Sequence, residues 1–192
     1  MADRMIVWVI FALIMVSCKE QTPKVTSSDG YELTPIGTSG LQKAVKKHDA
    51  GRIIEEGYFM HGLKFGQWVN YTEREGRVAS VTSYIDGKRD GLYLKFDARE
   101  NLNIRVGFKN DQYDGLYTEV QYGTVLKEAN YKEGKLHGIY KEYYGNGKLL
   151  KEIEFKEDKQ DGFYKYYDEQ GNLSIEYLYK NGEKVSGGML NK

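Results

Sequence analysis

Residues 131–148 read YKEGKLHGIYKEYYGNGK, running from Tyr131 through Gly138 and Tyr140 to Lys148, and this stretch decides the fold. It sets an aromatic two places after an anchor glycine. Turn chemistry lies on either side, Lys132-Glu133-Gly134-Lys135 before the pair and Gly145-Asn146-Gly147 after it. The same pair recurs as Gly66 and Trp68, Gly91 and Tyr93, Gly115 and Tyr117, and Gly162 and Tyr164, at intervals of 23 to 25 residues. A fixed period of this length marks one small supersecondary unit stacked into an array.

Within each unit the apolar period is two. One set of alternate positions reads Val78, Ser80, Thr82, Tyr84; Leu102, Ile104, Val106, Phe108; Val125, Lys127, Ala129, Tyr131; Leu149, Lys151, Ile153, Phe155; and Leu173, Ile175, Tyr177, Tyr179. The other set, such as Leu150, Glu152, Glu154 or Asn103, Arg105, Gly107, is wetter. That is amphipathic strand patterning. Ile53 and Phe59 fit the template, so a degenerate half-repeat begins near Gly51.

Two turn signals per unit leave strands of about seven or eight residues. The tighter turn is assigned to Asn146-Gly147, Gln170-Gly171, Glu75-Gly76 and Asn101, which tolerate the positive φ of a primed hairpin. The other follows the closing aromatic, with Gly87, Asp111, Asp158 and Gly182 at the position of Gly134. Such short links make neighbours antiparallel, because a parallel crossover needs a dozen or more residues. The fold class predicted is all-β: an elongated, twisted antiparallel β-meander of about five to six hairpin repeats of about 24 residues, with roughly ten to twelve strands. A membrane barrel fits poorly, since Glu55, Lys127 and Lys151 fall on the more apolar face. A β-helix would share the period but lack paired hairpin turns.

The five anchor residues Gly66, Gly91, Gly115, Gly138 and Gly162 carry a structural expectation. Without a Cβ, each lets a cross-strand aromatic lie over the backbone or lets the chain bend.

Outside the array, Met5 to Val16 is an unbroken apolar run after Arg4. As a helix it would rise about 18 Å, short of a ~30 Å hydrocarbon core, so it reads as a signal-peptide core rather than a span. Its end, Met15-Val16-Ser17-Cys18, resembles the lipobox of bacterial lipoproteins. That resemblance implies cleavage before Cys18 and a diacylglyceryl group on its thiol; Met15 departs from the usual leucine, and Asp3 dilutes the basic start. Cys18 is the only cysteine, so no intrachain disulfide can form. Residues 19–40 are rich in Ser, Thr, Pro and Gly and hold both prolines, Pro23 and Pro35, which predicts a flexible tether. The chain thus divides into 1–17, lipoprotein signal peptide; 18–40, tether; and 41–192, β-repeat array.

The quoted pattern is similar to the bacterial variant of the MORN repeat. The resemblance spans about Gly51 to Gly188, and chains built largely from this repeat form the YwqK-type family, labelled antitoxins of toxin-antitoxin systems. It implies the same hairpin array and a membrane-associating or protein-binding role, and it brings no catalytic residues. This chain departs from the pattern with Ser186 at the last anchor position and with Asp111 and Asp158 at turn glycines.

Composition narrows function further. Lys plus Arg equals Asp plus Glu, 28 each, so no basic excess points to nucleic acid. The three histidines, His48, His61 and His137, form no zinc pattern with Cys18, and His61 and His137 are read as near-equivalent loop positions. No phosphate loop or nucleophile motif is present, and the carboxylates scatter. No catalytic centre, cofactor, metal or small-molecule substrate is therefore expected. Seventeen tyrosines, among them Tyr93, Tyr117, Tyr140, Tyr143 and Tyr164, are read first as cover for a thin sheet. The expected function is a non-enzymatic, lipid-anchored module of the bacterial envelope that binds a protein partner. The alternative is a structural or surface module whose tyrosine ladders contact membrane lipid or glycan.

Overall fold

The computed structural model describes residues 25–26 and 29–190; the expected signal peptide and Cys18 lie outside them. Among the described residues there is no helix. The first strands are β1 (Val25–Thr26), β2 (Tyr31–Ile36), β3 (Leu41–Lys47), β4 (Ile53–Met60), β5 (Leu63–Tyr71) and β6 (Val78–Ile85). Then come β7 (Lys88–Phe96), β8 (Leu102–Lys109), β9 (Gln112–Tyr113), β10 (Gly115–Gln121) and β11 (Thr124–Lys132). The last are β12 (Lys135–Tyr143), β13 (Leu149–Lys156), β14 (Lys159–Tyr167), β15 (Leu173–Lys180) and β16 (Glu183–Met189).

All sixteen belong to one sheet whose spatial order is the chain order, with only β9 off the path as a second partner of β8. Every pairing is antiparallel. This is the all-β antiparallel meander that period two and short turns predict.

The tether ends earlier than expected. Residues 31–36, assigned to it, form β2 and pair with β3 from Tyr31↔Lys46 to Ile36↔Leu41. The physical reason is an apolar alternation that composition concealed: Tyr31 is buried and packs with Ala44 and Trp68, with Leu33 and Phe59 against them. Pro35 is tolerated because β2 lies near the sheet edge, covered on its outer side by β1 only at Leu33 and Glu32. The half-repeat near Gly51 is therefore interior, with β1 to β3 before it.

The two kinds of turn are exchanged relative to the prediction. The turns after the closing aromatics are the two-residue primed ones, with positive φ at both residues: Asp86 and Gly87 (49° and 80°), Glu133 and Gly134 (51° and 81°), Glu157 and Asp158 (50° and 66°). The opposite turns are wider: Tyr144 N–H donates to the Lys148 carbonyl and Gly147 N–H to the Tyr144 carbonyl, and likewise Asp97 N–H donates to Asn101 and Glu100 N–H to Asp97. Asp97 and Asp168 accept N–H bonds from their own turns, at 2.8 and 2.9 Å for Asp97 and 3.0 and 2.8 Å for Asp168. Only Tyr122-Gly123 is a two-residue primed turn on that side.

Successive hairpins are stitched through these turns. In five of the primed turns the second residue donates its N–H to the preceding hairpin: Gly87 to Lys64, Asp111 to Arg89, Gly134 to Tyr113, Asp158 to Leu136, and Gly182 to Gln160. This explains two departures from the repeat. Asp111 and Asp158 also accept the N–H of Arg89 and Leu136 through Oδ1, at 2.9 and 2.8 Å, a bond glycine cannot make. Asp90, Asp114 and Asp161, each just before an anchor glycine, accept the first N–H of the next primed turn, from Asn110, Glu133 and Asn181.

Candidate functional site

The five anchor glycines share one geometry. Gly66 lies opposite Tyr84, Gly91 opposite Phe108, Gly115 opposite Tyr131, Gly138 opposite Phe155 and Gly162 opposite Tyr179. All five have positive φ, between 68° and 130°. Four of their hairpins lose register by two residues beside the glycine; in β6 and β7, for example, the pairing steps from Thr82↔Tyr93 to Tyr84↔Arg89. Glycine supplies the left-handed backbone of the bulge, which lets the chain bend, but it does not make room for the ring. A Cβ at Gly91, Gly138 or Gly162 would meet Ser83, Asn130 or Glu154 on the other face, and it is Gly57 whose Cβ would strike the Trp68 ring. Ser186 breaks the series, and the positive-φ residue moves to Gly187, opposite Tyr177.

Beside this row runs a central column that crosses the sheet on the same face. Trp68 pairs with Thr82, Thr82 with Tyr93, and Tyr93 with Val106. Farther on, Tyr117 pairs with Ala129, Ala129 with Tyr140, Tyr140 with Ile153, and Ile153 with Tyr164. Small or branched residues thus alternate with rings, and the rings cover them: Val106 and Ala129 are 0% exposed. Ring contacts tie the two rows, with centroids 6.0 Å apart for Tyr93 and Phe108 and for Tyr140 and Phe155. The tyrosines thereby act as a second layer for a one-layer sheet.

Three hydroxyls on this face bond to glutamates. Tyr31 donates to Glu55 at 2.5 Å, Tyr117 to Glu119 at 3.3 Å, and Tyr140 to Glu142. Burial, then the bonded carboxylate, pushes Tyr31 and Tyr140 far above the ordinary phenol value. Burial and the Glu119 charge push Tyr117 up to about 12. The charged residues on this face form a row of alternating sign, Glu119↔Lys127↔Glu142↔Lys151. Burial pushes the Glu142 carboxyl up, but the Tyr140 hydroxyl and the Lys151 ammonium at 3.0 Å outweigh it and hold it below the usual range.

The opposite face carries a row that the sequence reading passed over. Leu92, Leu116, Ile139 and Phe163 each stand between an anchor glycine and its aromatic, so strand alternation turns them away from the rings. They are 40%, 44%, 43% and 40% exposed. Between them stand their cross-strand partners Gly107, Asn130, Glu154 and Leu178. Next to this row lies a second alternating series, Glu128↔Lys141↔Glu152↔Lys165↔Glu176. Tyr143 and Tyr71 also belong here, donating to Glu128 and Glu56 at 2.6 Å. The apolar row was legible as one exposed aliphatic or Phe per period. It was missed because the wet face was judged on β8 and β13 rather than on the strands that follow the glycines.

Among the described residues no group of three or more His, Cys, Asp or Glu side chains could hold a metal ion, and no helix is long and apolar enough to cross a membrane. His61 and His137 are not equivalent: His61 opens a primed turn at φ 50°, whereas His137 lies within β12, just before Gly138. His137 helps line a depression of 710 Å³ beside Asp114, Gly115 and Glu133, formed where neighbouring turns meet. Neither a protein-family model nor a curated protein matches this sequence.

Proposed function

We propose that the chain is a non-enzymatic binding module of the bacterial cell envelope, composed of five to six MORN-type hairpin repeats and lipid-anchored through Cys18. The observation that carries this reading is the row Leu92, Leu116, Ile139 and Phe163, one exposed apolar side chain in each of four successive units, beside a cross-strand row of alternating charge. A solvated sheet gains nothing from a periodic row of this kind, and exposed apolar surface rimmed by polar residues marks interaction sites. A protein surface is its natural counterpart, because charges of both signs beside the row suit a mixed polar partner better than an anionic one. The family resemblance adds an antitoxin-like or immunity-like role, which a lipoprotein can fill only toward a partner outside the cytoplasm. The tyrosine face supports the lipid or glycan alternative less well, since Tyr31, Tyr117 and Tyr140 already spend their hydroxyls on glutamates.

The test has two arms. Metabolic labelling with a palmitate analogue marks the wild-type chain and spares Cys18→Ala; equal labelling removes the anchor. Crosslinking in intact cells joins the wild-type chain to protein, and Ile139→Glu abolishes the product. Products unchanged in Ile139→Glu, together with retention on liposomes or peptidoglycan, would transfer the role to the tyrosine face.

A further inference from the structure

We infer that the partner seated on the outer face is a second copy of this chain, an isologous dimer with the two apolar rows against one another. This rests on reading that face as a protein-binding surface and names what it binds. A two-fold interface must be self-complementary, and the alternating row Glu128, Lys141, Glu152, Lys165 has that property about one axis. Consider a two-fold axis along the strands, midway between β12 and β13. It reverses strand order and keeps height along the strands, so β12 meets the partner's β13, β11 the partner's β14, and β10 the partner's β15. Lys141 then faces the partner's Glu152, and Glu128 faces the partner's Lys165. Each pair occurs twice.

The charges also reject the neighbouring register. An axis running through β12 would stack Lys141 on the partner's Lys141 and Glu128 on the partner's Glu152, like charge on like. In the accepted register the apolar row interdigitates. Leu116 meets the partner's Leu178, Phe163 meets the partner's Asn130, and Ile139 at the centre meets the stem of the partner's Glu154, so each apolar side chain stands over a gap residue of the other row. Knobs recur every second strand, about 9.5 Å apart in both copies, so one contact in register puts the others in register. The six strands β10 to β15 span about 29 Å by about 24 Å, or about 700 Å² per copy. Specific interfaces take about 800 Å² per partner. Lys141 and Glu152 are 33% and 22% exposed, so a facing copy would desolvate them further and strengthen the crossed pairs.

The experiment is sedimentation equilibrium on the processed, lipidated chain in detergent over a wide range of concentration. Wild type is expected as two copies. Lys141→Glu alone and Glu152→Lys alone weaken self-association at least about tenfold, and an equimolar mixture of the two restores it, because each reversed charge then meets its opposite. A purely intrachain role for the 3.5 Å Lys141–Glu152 contact predicts no restoration on mixing and overturns the inference. Should a single reversal unfold the sheet, the double swap Lys141→Glu with Glu152→Lys keeps that intrachain pair. It is expected to self-associate yet refuse wild-type chains; free mixing with wild type overturns the inference. A monomeric wild type whose crosslinks to some other protein vanish in Ile139→Glu also overturns it while leaving the binding face intact. A monomer with no crosslink dependent on Ile139 removes both.

Discussion

Gly162 and Gly115 occupy the same place in their hairpins, yet an added methyl group would meet different neighbours. At Gly162, with φ 130°, the new carbon would fall 2.7 Å from Glu154 Cβ, an atom fixed to its strand. At Gly115, with φ 92°, nothing lies within 4 Å, so only backbone strain remains. Left-handed backbone costs an L-residue about 1–2 kcal/mol. Gly115→Ala is expected to lose about that much, and Gly162→Ala to lose about 1 kcal/mol more, because overpacking adds to the strain. Thermal melts of the two variants check the order; equal melting points would show that the bulge relaxes around either side chain. The tyrosines act at the same scale through their protons. The bond to Glu56, then burial, pushes Tyr71 up to about 12, and Tyr117 rises as far. A phenol held protonated in the fold ionises first in the unfolded chain, so stability is full below pH of about 10 and falls as pH rises through the folded-state values. The expected outcome is that the tyrosinate absorbance of these residues appears together with loss of the β-sheet circular dichroism signal, above pH about 10. Titration of nearly all tyrosines near 10 with the sheet signal unchanged would contradict it.

At the scale of the strand and turn, the sequence was legible where chemistry is local and obscure where it is shared. Alternation fixed the strands: Thr82, Val106, Ala129 and Ile153, read as one face, are the residues the rings bury. The anchor glycines were clear as places where the chain bends, because a glycine recurring two residues before an aromatic suits a left-handed bulge, which all five adopt. Turn type was misassigned for a definable reason. Asn146-Gly147 looks like a primed dipeptide, but the Tyr144 N–H bonds to the Lys148 carbonyl across a wider loop, and only Gly147 takes positive φ. Glu133-Gly134 looks poorer and yet is the primed turn, since Glu133 is held at φ 51° with its N–H on Asp114 Oδ2 and Gly134 bonded to Tyr113. Those partners lie a hairpin away, where no local propensity reaches. The same holds for β2, whose Tyr31 is a core residue only because Trp68 stands across the sheet at 5.5 Å. The outer apolar row follows by alternation from the anchor aromatics, and it stayed hidden because β8 and β13, on which the wetter face was read, carry its gaps at Gly107 and Glu154.

At the scale of the whole molecule, each hairpin touches only its neighbours, and the stitching bonds run from one unit to the one before it. Stability should therefore sum over units and interfaces rather than depend on a single core. The consequence is an unusual tolerance to deletion, provided that the deletion respects the period. Removing residues 150–173 joins Leu149 to Ser174, and Leu149 and Leu173 hold equivalent places at the start of β13 and β15. The shortened chain keeps Gly138 opposite an aromatic, with Tyr179 now taking the place of Phe155, and it keeps a primed turn at Asn181-Gly182. It is expected to fold with the same β-sheet circular dichroism signature per residue and a melting temperature lower by a few degrees, the loss of one unit and one interface. Removing residues 150–161 deletes β13 and the primed turn Glu157-Asp158 and sets Leu149 directly before Gly162, so the next strand enters with its bulge where β13 had none and carries a wide turn, Tyr144–Lys148 or Asp168–Asn172, at both ends. That chain is expected to aggregate, because strands whose register and turns no longer match leave pairing edges exposed. Equal behaviour of the two deletions, whether both fold or both aggregate, would mean that the sheet is stabilised as one cooperative body and that the 24-residue unit is a pattern in the sequence without energetic independence.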